Sequence, residues 1–299
     1  MSGPPDPPPS PGGPLAAACP GQGVDPRDVA AALARCEADP LVARLADQVP
    51  GQAWADADLR DTRLAQPAVF VASVAEARRD GRRWAATVGH SLGELAAAVL
   101  AGALDADDGF DLVVARAELG HAAHAERPGR MVVVMRLGAD EVEWVRRAAI
   151  GTAGGVLELA VANGPGQVVL SGDAATADAA VALAGEIGGV ARPLPIGGGY
   201  HTPLLMGSVA GLERRLSAVA RDPVIPLVSS TACRALVDAD DVARSLARSL
   251  VLPVRWDRAV GAVADLGVVG LVDVGPGATL ANLARHAPLL PTTPLVEPV

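Results

Sequence analysis

The stretch Gly89-His90-Ser91-Leu92-Gly93-Glu94 constrains this chain more than any other. Before it runs Trp84-Ala85-Ala86-Thr87-Val88, apolar and partly β-branched; after it come Leu95 to Ala101, strong helix formers. The order is strand, sharp turn, helix, with a serine at the apex and a glycine two residues to either side. A side chain at Gly89 or Gly93 would crowd the strand or helix beside it. The turn lifts the Ser91 hydroxyl clear of the sheet and aims the first free N–H groups of the helix at whatever it attacks. Such a serine is either a nucleophile for acyl transfer or hydrolysis, or the plain apex of a strand-to-helix turn in a chain with 33 glycines.

The chain's 299 residues suffice for one large domain or two smaller ones. Half of it is hydrophobic but only 2% aromatic, so the core must be built from Ala, Val and Leu. There is no lysine; all 25 basic residues are arginine. The net charge of −9 argues against a nucleic-acid partner. Cys19, Cys36 and Cys233 have no metal-binding or redox spacing, which fits a reducing cytoplasm and no metal site. No apolar run reaches membrane-spanning length.

Residues 1–14 are Pro/Gly-rich and read as a disordered leader without the features of a signal peptide. A buried strand is expected at Pro14–Cys19, a helix over Asp28–Leu45 interrupted at Pro40, and a second over Gln66–Arg79 with Pro67 near its first turn. A further helix spans Asp108–Glu126. From Arg130 to Ile196 the pattern is strand, helix, strand, strand, helix, strand, the order of a ferredoxin-like unit. The expected fold is therefore α/β. An α/β-hydrolase-like large subdomain (15–129 and 197–299) carries the elbow, and a ferredoxin-like small subdomain (130–196) is inserted in it.

A serine nucleophile needs a base. Of five histidines, His90 adjoins Ser91, where side chains rarely meet; His121 and His124 fall in the charged end of a helix and read as solvated; His286 lies near the C-terminus beside Arg285. His201 follows Gly197-Gly198-Gly199-Tyr200, a flexible loop from which it can reach across a cleft. By spacing alone it is either the base or a capping histidine before the helix expected at Pro203–Ala220.

Gly89-His90-Ser91-Leu92-Gly93-Glu94 resembles the G-H-S-x-G-E motif of malonyl-CoA:acyl-carrier-protein transacylases and polyketide synthase acyltransferase domains. Four other stretches agree in order: Pro20-Gly21-Gln22-Gly23, Gln66-Pro67-Ala68, Asn163-Gly164-Pro165-Gly166-Gln167-Val168-Val169 with Ser171-Gly172, and Asp273-Val274-Gly275-Pro276-Gly277. The likeness runs from about Leu15 to Arg285.

The resemblance implies roles. Ser91 matches the nucleophile and His201 the general base, oriented by a backbone carbonyl from a segment like Pro253-Val254-Arg255-Trp256. The backbone N–H groups of Gln22 and Leu92 match the oxyanion hole. Arg116 matches the arginine that pairs with the free carboxylate of a malonyl group; without the resemblance it would read as one surface arginine among many. A guanidinium left buried and unpaired disfavours a neutral acyl group. Gln66, Gln167 and Asn163 could be hydrogen-bonding partners or ordinary turn and cap residues. Tyr200 stands where Phe is frequent, keeping the aromatic and adding a hydroxyl; it would narrow the pocket against an α-methyl branch. Cys19, Val24-Asp25 and Ala117 also depart from the family's usual residues.

The expected activity is malonyl transfer from coenzyme A to the phosphopantetheine thiol of an acyl carrier protein, through an acyl-serine ester. No metal or bound cofactor is implied, and neither a membrane nor a nucleic acid is an expected partner. Another acyl group, an editing hydrolase or a catalytically dead scaffold on the same fold are the alternatives.

Overall fold

The computed structural model describes residues 13–285 and 290–295. Apart from Gly13 and Pro14, the expected leader lies outside the described residues, as does His286.

The chain begins with the first part of a large subdomain. Strand β1 (Leu15–Cys19) leads into helices α1 (Pro26–Arg35), α2 (Pro40–Gln48) and α3 (Thr62–Asp80). The elbow lies between β2 (Ala86–Gly89) and α4 (Gly93–Leu100), and α5 (Ala106–Glu126) follows. Then come β3 (Gly129–Met135), α6 (Ala139–Ala153), β4 (Leu157–Gly164), β5 (Gln167–Asp173), α7 (Ala174–Glu186) and β6 (Val190–Pro193). The return comprises α8 (Met206–Val219), β7 (Leu227–Ser229), β8 (Arg234–Ala235), α9 (Ala239–Arg248), β9 (Val254–Arg255), α10 (Trp256–Ala264), β10 (Gly270–Asp273), α11 (Thr279–Ala284) and β11 (Thr292–Pro294).

Two sheets result. The larger has the order β11-β10-β1-β2-β7-β8 and is parallel except for β8. Its central strand β1 reads Leu-Ala-Ala-Ala-Cys, with Ala16 to Cys19 wholly buried, as expected of a parallel strand covered on both faces. The smaller sheet has the order β6-β3-β5-β4-β9. Its first four strands are antiparallel, with α6 and α7 packed on one face: the ferredoxin-like unit read from the sequence. The fifth strand, β9, comes from the later part of the chain and pairs parallel with β4, so the two halves of the molecule are joined by backbone hydrogen bonds.

Local chemistry moved several expected boundaries. The helix expected over Asp28–Leu45 is two helices, because the chain turns at Cys36 and restarts where Asp39 accepts from the Leu41 N–H with Pro40 in the first turn. Helix α3 begins four residues before Gln66, since Asp61 caps it through the Arg63 N–H; Pro67 therefore lies inside the helix. Strand β6 stops at Pro193, leaving Leu194 to Ile196 to line a cavity instead. The helix expected from Pro203 opens as a 3-10 turn, Pro203–Leu205, before α8. No helix among the described residues is long and apolar enough to cross a membrane.

Candidate active site

Ser91 sits between β2 and α4 with φ +54°, a left-handed conformation that L-residues rarely hold. The turn is tight enough that a Cβ on Gly93 would come within 2.0 Å of the Cys19 carbonyl oxygen. Strand β1 and the elbow thus touch backbone to backbone, and His90 N–H donates to that same carbonyl at 2.9 Å.

The Ser91 Oγ lies 2.7 Å from His201 Nε2. His201 also has a positive φ, +62°, and is only 2% exposed. Its Nδ1 is 2.9 Å from the Leu252 carbonyl oxygen, which can only accept. Nδ1 therefore carries the proton and Nε2 presents a lone pair to the Ser91 hydroxyl. Burial, reinforced by the nearby positive charge of Arg116, lowers the His201 pKa to about 3. The ring is neutral at physiological pH, as a proton acceptor must be. The orienting carbonyl belongs to Leu252, one residue ahead of the Pro253–Trp256 segment expected to supply it, because β9 begins only at Val254.

Arg116, on α5, is 2% exposed. Its Nη1 donates to Gln66 Oε1 at 2.5 Å, whereas its Nη2 is buried without a partner. Among the described residues no carboxylate pairs with it. The Gln66 Nε2 in turn donates to Thr62 Oγ1 at 2.5 Å and to the Tyr200 hydroxyl at 2.8 Å. The Arg116 guanidinium lies 5.1 Å from the centre of the Tyr200 ring. Thr62 was not singled out in the sequence, although it stands four residues before Gln66, one helical turn away. Tyr200 and Asn163 line the cavity, and Arg116 adjoins it through the Tyr200 ring over which it lies, with Gln66 as its neighbour.

The cavity is about 290 Å³ and opens between the two sheets. Gly21, Gln22, His90, Ser91 and His201 form its polar end. Met131, Val133 and Met135 of β3, Val169 of β5, Leu194, Ile196, and Leu280 and Leu283 of α11 make a long apolar wall. No hydrogen bond among the described residues uses the backbone N–H of Gln22 or Leu92. Both groups are available at the start of a turn or helix, the arrangement an oxyanion needs.

His90, set aside as a base, has a different place. Its Nε2 donates to Asn163 Oδ1 at 3.0 Å, Asn163 Nδ2 donates to Gln167 Oε1 at 3.0 Å, and its ring lies 5.4 Å from that of Trp256. His124, read as solvated, accepts from the Gly129 N–H at 3.2 Å. Glu94 is buried in the first turn of α4, where its Oε1 accepts from Ser229 Oγ, Ser230 N–H and Ser230 Oγ at 2.9, 2.6 and 3.1 Å. Burial pushes its pKa up to about 7.

Residues 27–288 match the acyl transferase domain family. The chain belongs to the acyl transferase family. Among related acyltransferases, the malonyl CoA-acyl carrier protein transacylase of Bacillus subtilis (strain 168) is 31% identical over 233 residues, 76% of this chain and 73% of that one. The Burkholderia thailandensis polyketide biosynthesis protein ThaF is 32% identical over 279 residues, 89% of this acyltransferase but only 23% of that longer protein. The acyl-carrier-protein S-malonyltransferase of Burkholderia pseudomallei 1710b superposes with a TM-score of 0.83 at 30% identity, covering 95% of this chain and 97% of that one. A malonyl-transacylase solved in complex with its type II polyketide synthase acyl-carrier protein superposes with a TM-score of 0.84 at 28% identity, covering 96% of each.

Proposed function

We propose that this acyltransferase moves a malonyl group from coenzyme A to the phosphopantetheine thiol of an acyl carrier protein, by way of an ester on Ser91. The observation that carries the reading is the Ser91–His201 contact of 2.7 Å near a buried arginine with an unsatisfied donor.

In the first half-reaction, Ser91 Oγ attacks the thioester carbonyl as His201 Nε2 takes its proton. The tetrahedral oxyanion is held by the backbone N–H groups of Gln22 and Leu92. Collapse breaks the C–S bond, and His201 returns the proton to the departing coenzyme A thiolate. In the second half, the carrier's thiol attacks the ester, His201 takes the thiol proton, and Ser91 leaves with it. Arg116 receives the malonyl carboxylate, which would satisfy the buried Nη2 with a charge-assisted bond. An acetyl group offers no such partner and leaves that charge unpaired. These steps call on the protein's own groups and need no metal or resident cofactor. Cytoplasmic residence fits the three free cysteines.

The test is a two-substrate assay with malonyl-CoA and a phosphopantetheinylated carrier protein, read by mass spectrometry of the carrier. The reading predicts one malonyl per carrier thiol and one free coenzyme A thiol per transfer. Release of free malonate at the same rate with or without carrier would point to a hydrolase instead.

A further inference from the structure

We infer that the Tyr200 hydroxyl is a positioning group that sets malonyl selectivity by fixing the direction of a hydrogen-bond relay behind Arg116. The inference rests on the malonyl reading given above.

The relay has one consistent direction. A guanidinium can only donate, so Gln66 must turn its oxygen to Arg116 and its NH2 group away from it. Both amide hydrogens then need acceptors inside the protein, and they find the Tyr200 hydroxyl at 2.8 Å and Thr62 Oγ1 at 2.5 Å. The two hydroxyls are 2.7 Å apart, and Thr62 Oγ1 reaches Gln22 Oε1 at 3.3 Å. Gln22 Oε1 can only accept, so Thr62 donates to it and Tyr200 donates to Thr62. Donation therefore runs from Arg116 through Gln66, Tyr200 and Thr62 to Gln22. The two ends each keep one buried donor with no partner, Arg116 Nη2 and Gln22 Nε2. One end stands at the proposed carboxylate site and the other at the residue proposed to hold the oxyanion.

The hydroxyl also has a purpose-built seat. Gly120 lies one helical turn beyond Arg116 on the same face of α5. A Cβ there would come within 2.0 Å of the Tyr200 hydroxyl oxygen. The helix that presents the arginine thus leaves room for the atom that orders its partner. Removing the hydroxyl strands one buried Gln66 N–H, which weakens the hold on Arg116 Nη1 and the aim of Nη2.

Tyr200→Phe keeps the ring over Arg116 and removes only the hydroxyl. Its malonyl-CoA to acetyl-CoA ratio of kcat/KM for acylation of Ser91 is expected to fall about tenfold, the larger loss falling on malonyl-CoA. Thr62→Val, which removes the other acceptor, is expected to act in the same direction. In an Arg116→Ala background neither change should move the ratio further, since both act through Arg116. A Tyr200→Phe enzyme that keeps the wild-type ratio within twofold overturns the relay, as does an equal loss on both substrates. Absence of any malonyl preference in the wild type would instead overturn the malonyl reading, and the relay with it.

Discussion

His201 Nδ1 donates to the Leu252 carbonyl oxygen over 2.9 Å, so the histidine facing the nucleophile is oriented by a neutral acceptor and not by a carboxylate. An imidazolium formed there gains no opposite charge, while burial and, after it, Arg116 act against it, which is why its pKa lies near 3. The base is thus free to accept a proton over the whole physiological range. The rate of Ser91 acylation, kcat/KM with malonyl-CoA, should show no acid limb near pH 6.5; the limb should fall toward pH 3 or merge with acid unfolding. A limb centred at an ordinary histidine value would contradict this account of the site.

Arg116 should divide substrates by charge. Arg116→Ala is expected to lower kcat/KM for malonyl-CoA by about a hundredfold, the cost of a buried hydrogen-bonded charge partner. It should leave acetyl-CoA unchanged or improved. Equal losses on both would mean that Arg116 supports the fold and does not read the acyl group.

Glu94 makes a prediction about stability. Its carboxyl has a folded pKa of about 7 against 4.5 in an unfolded chain, so between those values the folded state holds more protons than the unfolded one. Stability from this group therefore falls as pH rises from about 4.5 to about 7 and is level above. Wild type should lose up to about 3 kcal/mol across that window relative to Glu94→Gln, measured by urea unfolding at several pH values. His201 has the opposite trend, a depressed folded pKa whose contribution grows as pH rises from about 3 to 6.5. The comparison with Glu94→Gln removes it, since both proteins carry the histidine. A stability difference independent of pH would show that Glu94 stays ionised.

The elbow tolerates no side chain at Gly93, where the obstacle is backbone, the Cys19 carbonyl of β1. Gly93→Ala should cost at least about 2 kcal/mol in unfolding free energy and abolish Ser91 acylation, because the strand and the turn must separate. A variant of wild-type stability would mean that the elbow is looser than its contacts imply.

What the sequence disclosed follows from range. The elbow is local: glycines, a serine, a short strand and a helix within some fifteen residues, so composition and period suffice. The succession of strands and helices in the ferredoxin-like unit was legible for the same reason, each element being short and local. The pairing of β9 with β4 was not, because two residues carry no period and their partner lies about ninety residues earlier. The orienting carbonyl, placed in Pro253–Trp256 by resemblance, lies one residue earlier, at Leu252, because a backbone oxygen leaves no trace in residue identity. Thr62 and Gly120 were readable in principle. Each stands four residues from a singled-out partner, Gln66 or Arg116, but the helix holding Thr62 was started too late because Asp61 was not recognised as its cap.

The most direct test of the central claim is the intact mass of the protein after brief exposure to malonyl-CoA, with Ser91→Ala alongside. The account predicts a single malonyl adduct on the wild type, none on Ser91→Ala, and removal of the adduct by a phosphopantetheinylated carrier protein. An adduct that persists in Ser91→Ala, or one the carrier cannot remove, would contradict a malonyl-serine intermediate on the path between the two thiols.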